Sequence, residues 1–277
     1  MNLSQRSPPM HTLDWNLAWQ EARKRKKNDR SDNSHWNKRA PAFAQHARKS
    51  AYAEEFVRLL APQPEWSVLD VGCGAGTLAI PLAGMVRNIT AIDFSDAMID
   101  LLNAHCVEHG LTNVAARVLG WEDDWEQAGI VEHDVAIASR SLVVHDLRTA
   151  LIKLNNKARR IYVASLVGDG PFDRRIFEAI GRELDRGPDY IYVYNLLHQM
   201  GIHAEVRFVN HGDSGSTYRD LDDAVDKFGW MLEGLTPEET ESLRGYFSRH
   251  LMKTAGGWAL SYRRSVRWAV ISWSKTA

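Results

Sequence analysis

The residues with the clearest chemical content lie in Val68-Leu69-Asp70-Val71-Gly72-Cys73-Gly74-Ala75-Gly76-Thr77, an apolar run that ends in alternating glycines. Glycine permits positive φ and carries no Cβ to hold a ligand off the backbone. A turn of this kind points to a dinucleotide when spaced G-x-G-x-x-G. Here glycines fall at 72, 74 and 76, and position 77 is Thr. Asp70 stands two residues before the first glycine, where a carboxylate would repel a pyrophosphate and suit a cation. Asp93 follows Gly72 by 21 residues, the place from which an acidic side chain can accept both hydroxyls of a ribose. Together these features call for a ligand with a ribose, a positive centre and no phosphate. They speak against a dinucleotide oxidoreductase.

The surrounding elements have to hold Asp70 and Asp93 at neighbouring strand ends. Ser67–Val71, Asn88–Ile92, Val114–Leu119, Asp134–Ala138 and Arg160–Leu166 read as buried strands. Helical stretches over Leu78–Val86, Ala97–His109 and Leu147–Ala158 alternate with them. That rhythm predicts right-handed βαβ units and an α/β, doubly wound, mostly parallel sheet with helices on both faces. After residue 170 the rhythm breaks. Pro171–Arg186 reads as a helix, 190–200 as another, and His203–Val209 as a strand. Two helices follow, the second opened by a capping box at Thr236-Pro237-Glu238-Glu239 and running to about Met252. Trp258–Tyr262 and Val266–Trp273 then read as closing strands. The expected organisation is an N-terminal, partly flexible arm over 1–35 and a domain over 36–277. A helical insertion at about 212–255 lies before the last strand, placed as a lid on the sheet's carboxyl edge.

The 277 residues are 44% hydrophobic and 25% charged, which excludes a disordered chain and a small disulfide scaffold. Lys+Arg 34 against Asp+Glu 35 is too neutral for a dedicated nucleic-acid binder. No run approaches the length that spans a bilayer, and the first residues lack a signal peptide's apolar core. Cys73 and Cys106, with no His in zinc spacing, predict no metal site. A reduced, cytoplasmic protein is the expectation. Arg23-Lys24-Arg25-Lys26-Lys27 reads either as a solvated helix face or as a lip that attracts anions.

Four stretches resemble successive motifs of the class I S-adenosylmethionine-dependent methyltransferases: Val68–Thr77; Ala91-Ile92-Asp93-Phe94-Ser95 with Met98; Gly120-Trp121-Glu122-Asp123; and His133–Ser139. Trp36-Asn37-Lys38-Arg39-Ala40 with Phe43 also resembles the helix that closes over the cofactor in small-molecule members. The resemblance covers 36–170. It implies a seven-stranded Rossmann-like sheet, S-adenosylmethionine as methyl donor and S-adenosylhomocysteine as product. It implies that Asp70, Gly72, Cys73 and Gly74 hold the methionine part and Asp93 the ribose. Phe94 would pack on the adenine, with Met98 in the same motif. The family often has an Asp in the turn after the third strand; this chain has Gly120 and Trp121, leaving Glu122 or Asp123 for the adenine edge.

The loop from Ser139 to Asp146 lies where acceptor and methyl group would meet. It has no Asn-Pro-Pro-Tyr-like sequence for adenine amino methylation, and the chain has no Pro-Cys pair for cytosine. His145, beside Asp146, is the candidate base, against a packing or capping role. Arg140 could hold an acceptor carboxylate or phosphate, or be a surface arginine. Tyr190, Tyr192, Tyr194 and His198, and Trp230, Trp258, Trp268 and Trp273, read as core or lid packing that could also border an acceptor. A small-molecule acceptor is expected, with RNA, protein and a non-catalytic binding protein as the alternatives.

Overall fold

In the computed structural model the residues described are 13–25, 36–37, 50–184, 186–213, 217–232 and 234–275. The central sheet follows the predicted alternation. Its strands are β1 (Ser67–Val71), β2 (Asn88–Asp93), β3 (Val114–Val118), β4 (His133–Ser139), β5 (Ala158–Leu166), β6 (Glu205–Asp213) and β9 (Ser265–Ser274). Their order is β3-β2-β1-β4-β5-β9-β6. β1 pairs in parallel with both β2 and β4, and β9 runs antiparallel to β5. The order therefore reverses at β1 and β4, so a crevice opens between their carboxyl ends. Every residue of β1 is buried, as a strand covered on both faces requires.

Helices α1 (Trp15–Lys24), α2 (Ala51–Leu60), α3 (Ala79–Ala83), α4 (Asp96–Glu108), α5 (Leu147–Lys157), α6 (Arg174–Ala179), α7 (Tyr190–Gln199), α8 (Leu221–Leu232) and α9 (Pro237–His250) complete the described elements, with strands β7 (Leu251–Thr254) and β8 (Gly257–Leu260). α1, α5 and α7 pack on one another, while α4 packs on β2 and β3. In α2, Ser50 caps the N-terminus, and Tyr52, Ala53, Phe56, Val57 and Leu60 make the buried stripe. α1 starts at the cap Asp14, and its Trp19 is 2% exposed and donates its ring N–H to Val144 O at 2.9 Å. Residues 1–12 and 26–35, including Lys26 and Lys27, lie outside the described residues.

The chain divides into two compact units. One is formed by 1–167, 187–209 and 268–277, the other by 168–186 and 210–267. The second has its own core, in which Ile176, Leu243 and Phe247 are fully buried. α8 and α9 are the two helices expected within 212–255, and Thr236 with Glu239 forms the capping box. Two local expectations are corrected there. Helix 171–186 shrinks to α6, because Gly181 turns the chain at φ +73° beyond its end. Trp258–Leu260 does not join the main sheet. Leu251–Thr254 turns back at Gly257 (φ +122°), and the two short strands pair with each other.

Candidate functional site

β1 hands the chain to the turn 72–76, where all three glycines have positive φ. A Cβ on Gly72 would stand 2.3 Å from Ser141 Cβ, so only glycine fits. The Gly72 and Cys73 N–H groups both donate to Ile92 O, tying the turn to the end of β2. At Gly74 (φ +54°) a Cβ would meet nothing within 4 Å. No described residue covers that face, and a ligand can come within contact of bare backbone there.

Two carboxylates flank this turn in different states. Asp93 is 7% exposed and accepts the N–H of Gly74 and of Ser95, each at 2.9 Å. Burial pushes its carboxyl up and those two donors oppose the shift. Each oxygen keeps a further acceptor position. Asp70 is 2% exposed, and its Oδ2 is buried with no hydrogen-bond partner among the described residues. Burial, and then the charge of Asp93, push its carboxyl up to about 7. A buried, unpartnered carboxylate is costly, and a cationic ligand group is what would offset that cost. Cys73 is also pushed up by burial and by both aspartates, so it stays a neutral thiol.

The nucleotide side of the turn is built from β2 and the segment after β3. Phe94 is half-buried, and a Cβ on Gly120 would lie 3.2 Å from its Cβ. Asp123 accepts the Gly120 N–H at 2.6 Å and so closes that turn. Glu122 is exposed and accepts no hydrogen bond from a described residue. Trp121 is buried, stacks 5.5 Å from Trp125 and donates its ring N–H to Ser141 O. Met98 is 2% exposed and forms an apolar patch with Ala75, against which Trp36 packs. Asn37 accepts from Ser95 Oγ at 2.6 Å and donates to Asp96. The remaining residues of that N-terminal motif, 38–43, lie outside the described residues.

Around the end of β4, sequence reasoning missed Tyr52, and it named Ser141 only within a longer loop and Trp268 only among four tryptophans. Ser141 donates its hydroxyl to Val71 O at 2.6 Å. Tyr52 OH lies 2.7 Å from Ser139 Oγ. Trp268 stands 6.2 Å from the Tyr52 ring. None carries a local signal, since each depends on an approach between distant segments. Arg140 takes φ +60°, a conformation costing a non-glycine residue about 1–2 kcal/mol. Its guanidinium lies 4.2 Å from the Tyr52 ring centroid and 5.5 Å from that of Trp268.

His145 is exposed, while the residues on either side of it serve the α1–α5 contact. Val144 O accepts from Trp19, and Asp146 accepts from Asn16 and caps α5 through the Thr149 N–H. The structure thus gathers Asp70, Gly72, Cys73, Gly74, Asp93, Phe94 and Met98 around one turn. Trp121 borders it through Ser141, Ser139 ends the neighbouring strand β4 and bonds Tyr52, and Glu122 accepts no hydrogen bond from a described residue. Tyr192 packs against Trp15 and Trp19, Tyr190 on Phe208, and Trp273 donates to Asn155. Trp258 pairs with Tyr218 in the second unit. The side chain of Trp230 lies outside the described part of the chain.

Comparison with known proteins gives a family match over residues 68–161, described as a methyltransferase domain. An uncharacterized protein of Haemophilus influenzae is 34% identical over 245 residues, 86% of this chain and 88% of its own. Shorter matches are to a 23S rRNA (uracil(1939)-C(5))-methyltransferase of Pseudomonas putida, 36% identical over 23% of this chain and 14% of that one, and to a ubiquinone biosynthesis O-methyltransferase of Xanthomonas axonopodis, 35% identical over 35% and 40%. Among solved structures, YcgJ of Bacillus subtilis superposes with a TM-score of 0.53 at 14% identity, covering 82% of this chain and 98% of that one. The fold is shared; the short matches differ in the kind of acceptor.

Proposed function

The chain belongs to the class I S-adenosylmethionine-dependent methyltransferases, and from that premise we propose that it methylates a small molecule. The observation that carries the reading is the glycine turn, with no described residue over Gly74, the buried Asp70 before it and Asp93 bonded to the Gly74 N–H. That donor set fits S-adenosylmethionine, which supplies a methyl group on a sulfonium when bound. Asp70 would hold the positive charge of the methionine part, and Asp93 would use its remaining acceptor positions on the ribose hydroxyls. Phe94 and Met98 would supply the apolar wall for the adenine. Trp121 would close its edge, with Glu122 free to accept from the exocyclic amine.

The chain's contribution to the transfer is alignment. Gly72, pinned to Ile92 and packed on Ser141, fixes the turn so that the acceptor can attack in line with the departing sulfur. Such positioning can supply most of the acceleration. Ser139 and Tyr52, hydrogen-bonded at the end of β4, border the space an acceptor would use. An acceptor atom that carries no proton to lose needs no base, and His145 is not placed in this reading as one. The neutral charge of the chain favours a small acceptor over RNA.

The test is calorimetry with S-adenosylhomocysteine and, separately, NAD. Micromolar binding of the former and none of the latter is expected. NAD binding without adenosylhomocysteine binding would sink the reading.

A further inference from the structure

We propose that Arg140 is an oxyanion receptor for the acceptor, so that the molecule methylated carries a carboxylate or phosphate group. This rests on the methyltransferase reading and names the substrate class of the same site. Arg140 is the residue after β4, next to Ser139 and one before Ser141, which packs on Gly72. Its backbone N–H donates to Ala164 O on β5, and its side chain turns toward Trp268 on β9. It therefore stands on the β4–β5–β9 side of the glycine turn. Asp93, Phe94 and Gly120, the nucleotide side, lie across β1 at the ends of β2 and β3.

The guanidinium is held but unpaired. Tyr52 and Trp268 form an aromatic corner against it, an attraction of ring faces for the cation that uses none of its N–H donors. Among the described residues no carboxylate or carbonyl accepts from those donors. They are not sealed off either, because among the described residues the sealed and unpartnered side-chain atoms are Asp70 Oδ2 and His133 Nδ1. Other arginines of this chain show what the group does when nothing is to be bound. Arg174 sits on Asp169, Arg175 on Asp173 and Arg182 on Glu239. Arg140 instead pays for a left-handed backbone and for burial of its charge, which pushes its pKa down. Backbone strain of this kind persists where surrounding structure enforces it, often at ligand sites. A planar fork of donors with its face covered and its edge open suits a two-oxygen anion bound edge-on.

The experiment titrates the S-adenosylhomocysteine-saturated protein with benzoate, with inorganic phosphate, and with benzamide as the neutral match for benzoate. At least one anion should bind in the millimolar range, about tenfold or more tighter than benzamide. Benzoate against phosphate tells which oxyanion the site takes. Arg140→Gln should weaken the anion about tenfold or more and change adenosylhomocysteine affinity less than about threefold, with Arg140→Lys between. Equal binding of anions and benzamide by the parent, or no anion binding, overturns the proposal without any substituted protein being needed. A second result also overturns it. If Arg140→Gln loses adenosylhomocysteine but keeps 5′-methylthioadenosine, which lacks the amino-acid carboxylate, the anion held is the cofactor's. A parent that binds no adenosylhomocysteine overturns the methyltransferase reading and this proposal together; anion failure in a protein that does bind it overturns this proposal alone.

Discussion

Asp70 in the first unit and Asp173 in the second are equally buried, at 2% and 5% exposure, and yet are pushed in opposite directions. Burial raises both. At Asp173 it is overcome by Arg175, which donates at 3.0 and 3.1 Å, and by the Tyr262 hydroxyl at 2.9 Å, and the carboxyl falls below its usual range. Tyr262 is bonded in turn to Tyr246, and Arg175 lies 3.5 Å above the Tyr262 ring. Every polar group in that cluster has a partner supplied by the chain. Around Asp70 one oxygen has none among the described residues, and Arg140, the residue after β4, has no acceptor among them either. Buried polar groups are ordinarily paired. A closed network is therefore read as architecture, and an open one as half of an interaction completed from outside.

The sharpest way to break that contrast is to neutralise each aspartate. Asp70→Asn should weaken S-adenosylhomocysteine binding by about 100-fold, the loss of a charge-assisted contact. The same change should stabilise the ligand-free protein at pH 8, measured by urea midpoint. The sign follows from a folded pKa of about 7 against the usual 3.8. A carboxyl raised in the fold contributes fully to stability below about pH 4 and loses that contribution as pH rises through 7. Asparagine carries no such loss, and the gain is on the order of 2–4 kcal/mol. A destabilised Asp70→Asn protein would show that Asp70 is architecture after all.

Asp173→Asn should do the reverse. Arg175 and Tyr262 would lose a charged acceptor, costing about 2–3 kcal/mol of stability at pH 7, while adenosylhomocysteine affinity stays within about threefold. A collapse of affinity with unchanged stability would erase the distinction between the two clusters.

The pH dependence of binding is a smaller effect. Holding a cation requires Asp70 ionised, so affinity should rise as pH passes upward through about 7 and level off above it. Calorimetry at pH 6 and 8 should differ by up to about tenfold. In Asp70→Asn that difference should vanish. Smallest is His145→Ala. With His145 exposed and only its neighbours engaged by α1, methyl transfer should change less than about twofold. A loss of about 100-fold across the pH range would make it the base and redraw the acceptor side.

The parallel sheet and the glycine turn were readable because their signals are local. Each buried strand is a short apolar run, and Asp70, Gly72, Gly74 and Asp93 sit at spacings set by one βαβ unit. The acceptor side was not readable in the same way. Tyr52 carries no sequence signal of its own, and only the fold brings its hydroxyl to Ser139, 87 positions away. Arg140 left two readings open, because sequence does not say whether an arginine after a strand meets solvent or two aromatic rings. The first of the two closing strands misled for a related reason, while Val266–Trp273 did join the main sheet as β9. Gly257 lets Trp258–Leu260 pair with its immediate neighbour, and a nearby partner closes a smaller loop than a distant sheet.

Ser141 sets a limit on how this chain can be altered. Its hydroxyl reaches the end of β1, its carbonyl receives Trp121 from the segment after β3, and its Cβ fills the place a side chain at Gly72 would need. Three loops leaving three strands thus share one meeting point. Their lengths are not independent: a residue inserted between Val71 and Gly72, between Gly120 and Trp121, or between Ser139 and Ser141 shifts the other two. Loop grafts between relatives would have to exchange all three together, whereas the exposed stretch around Glu132 has no such tie to the turn and is where added residues would be absorbed.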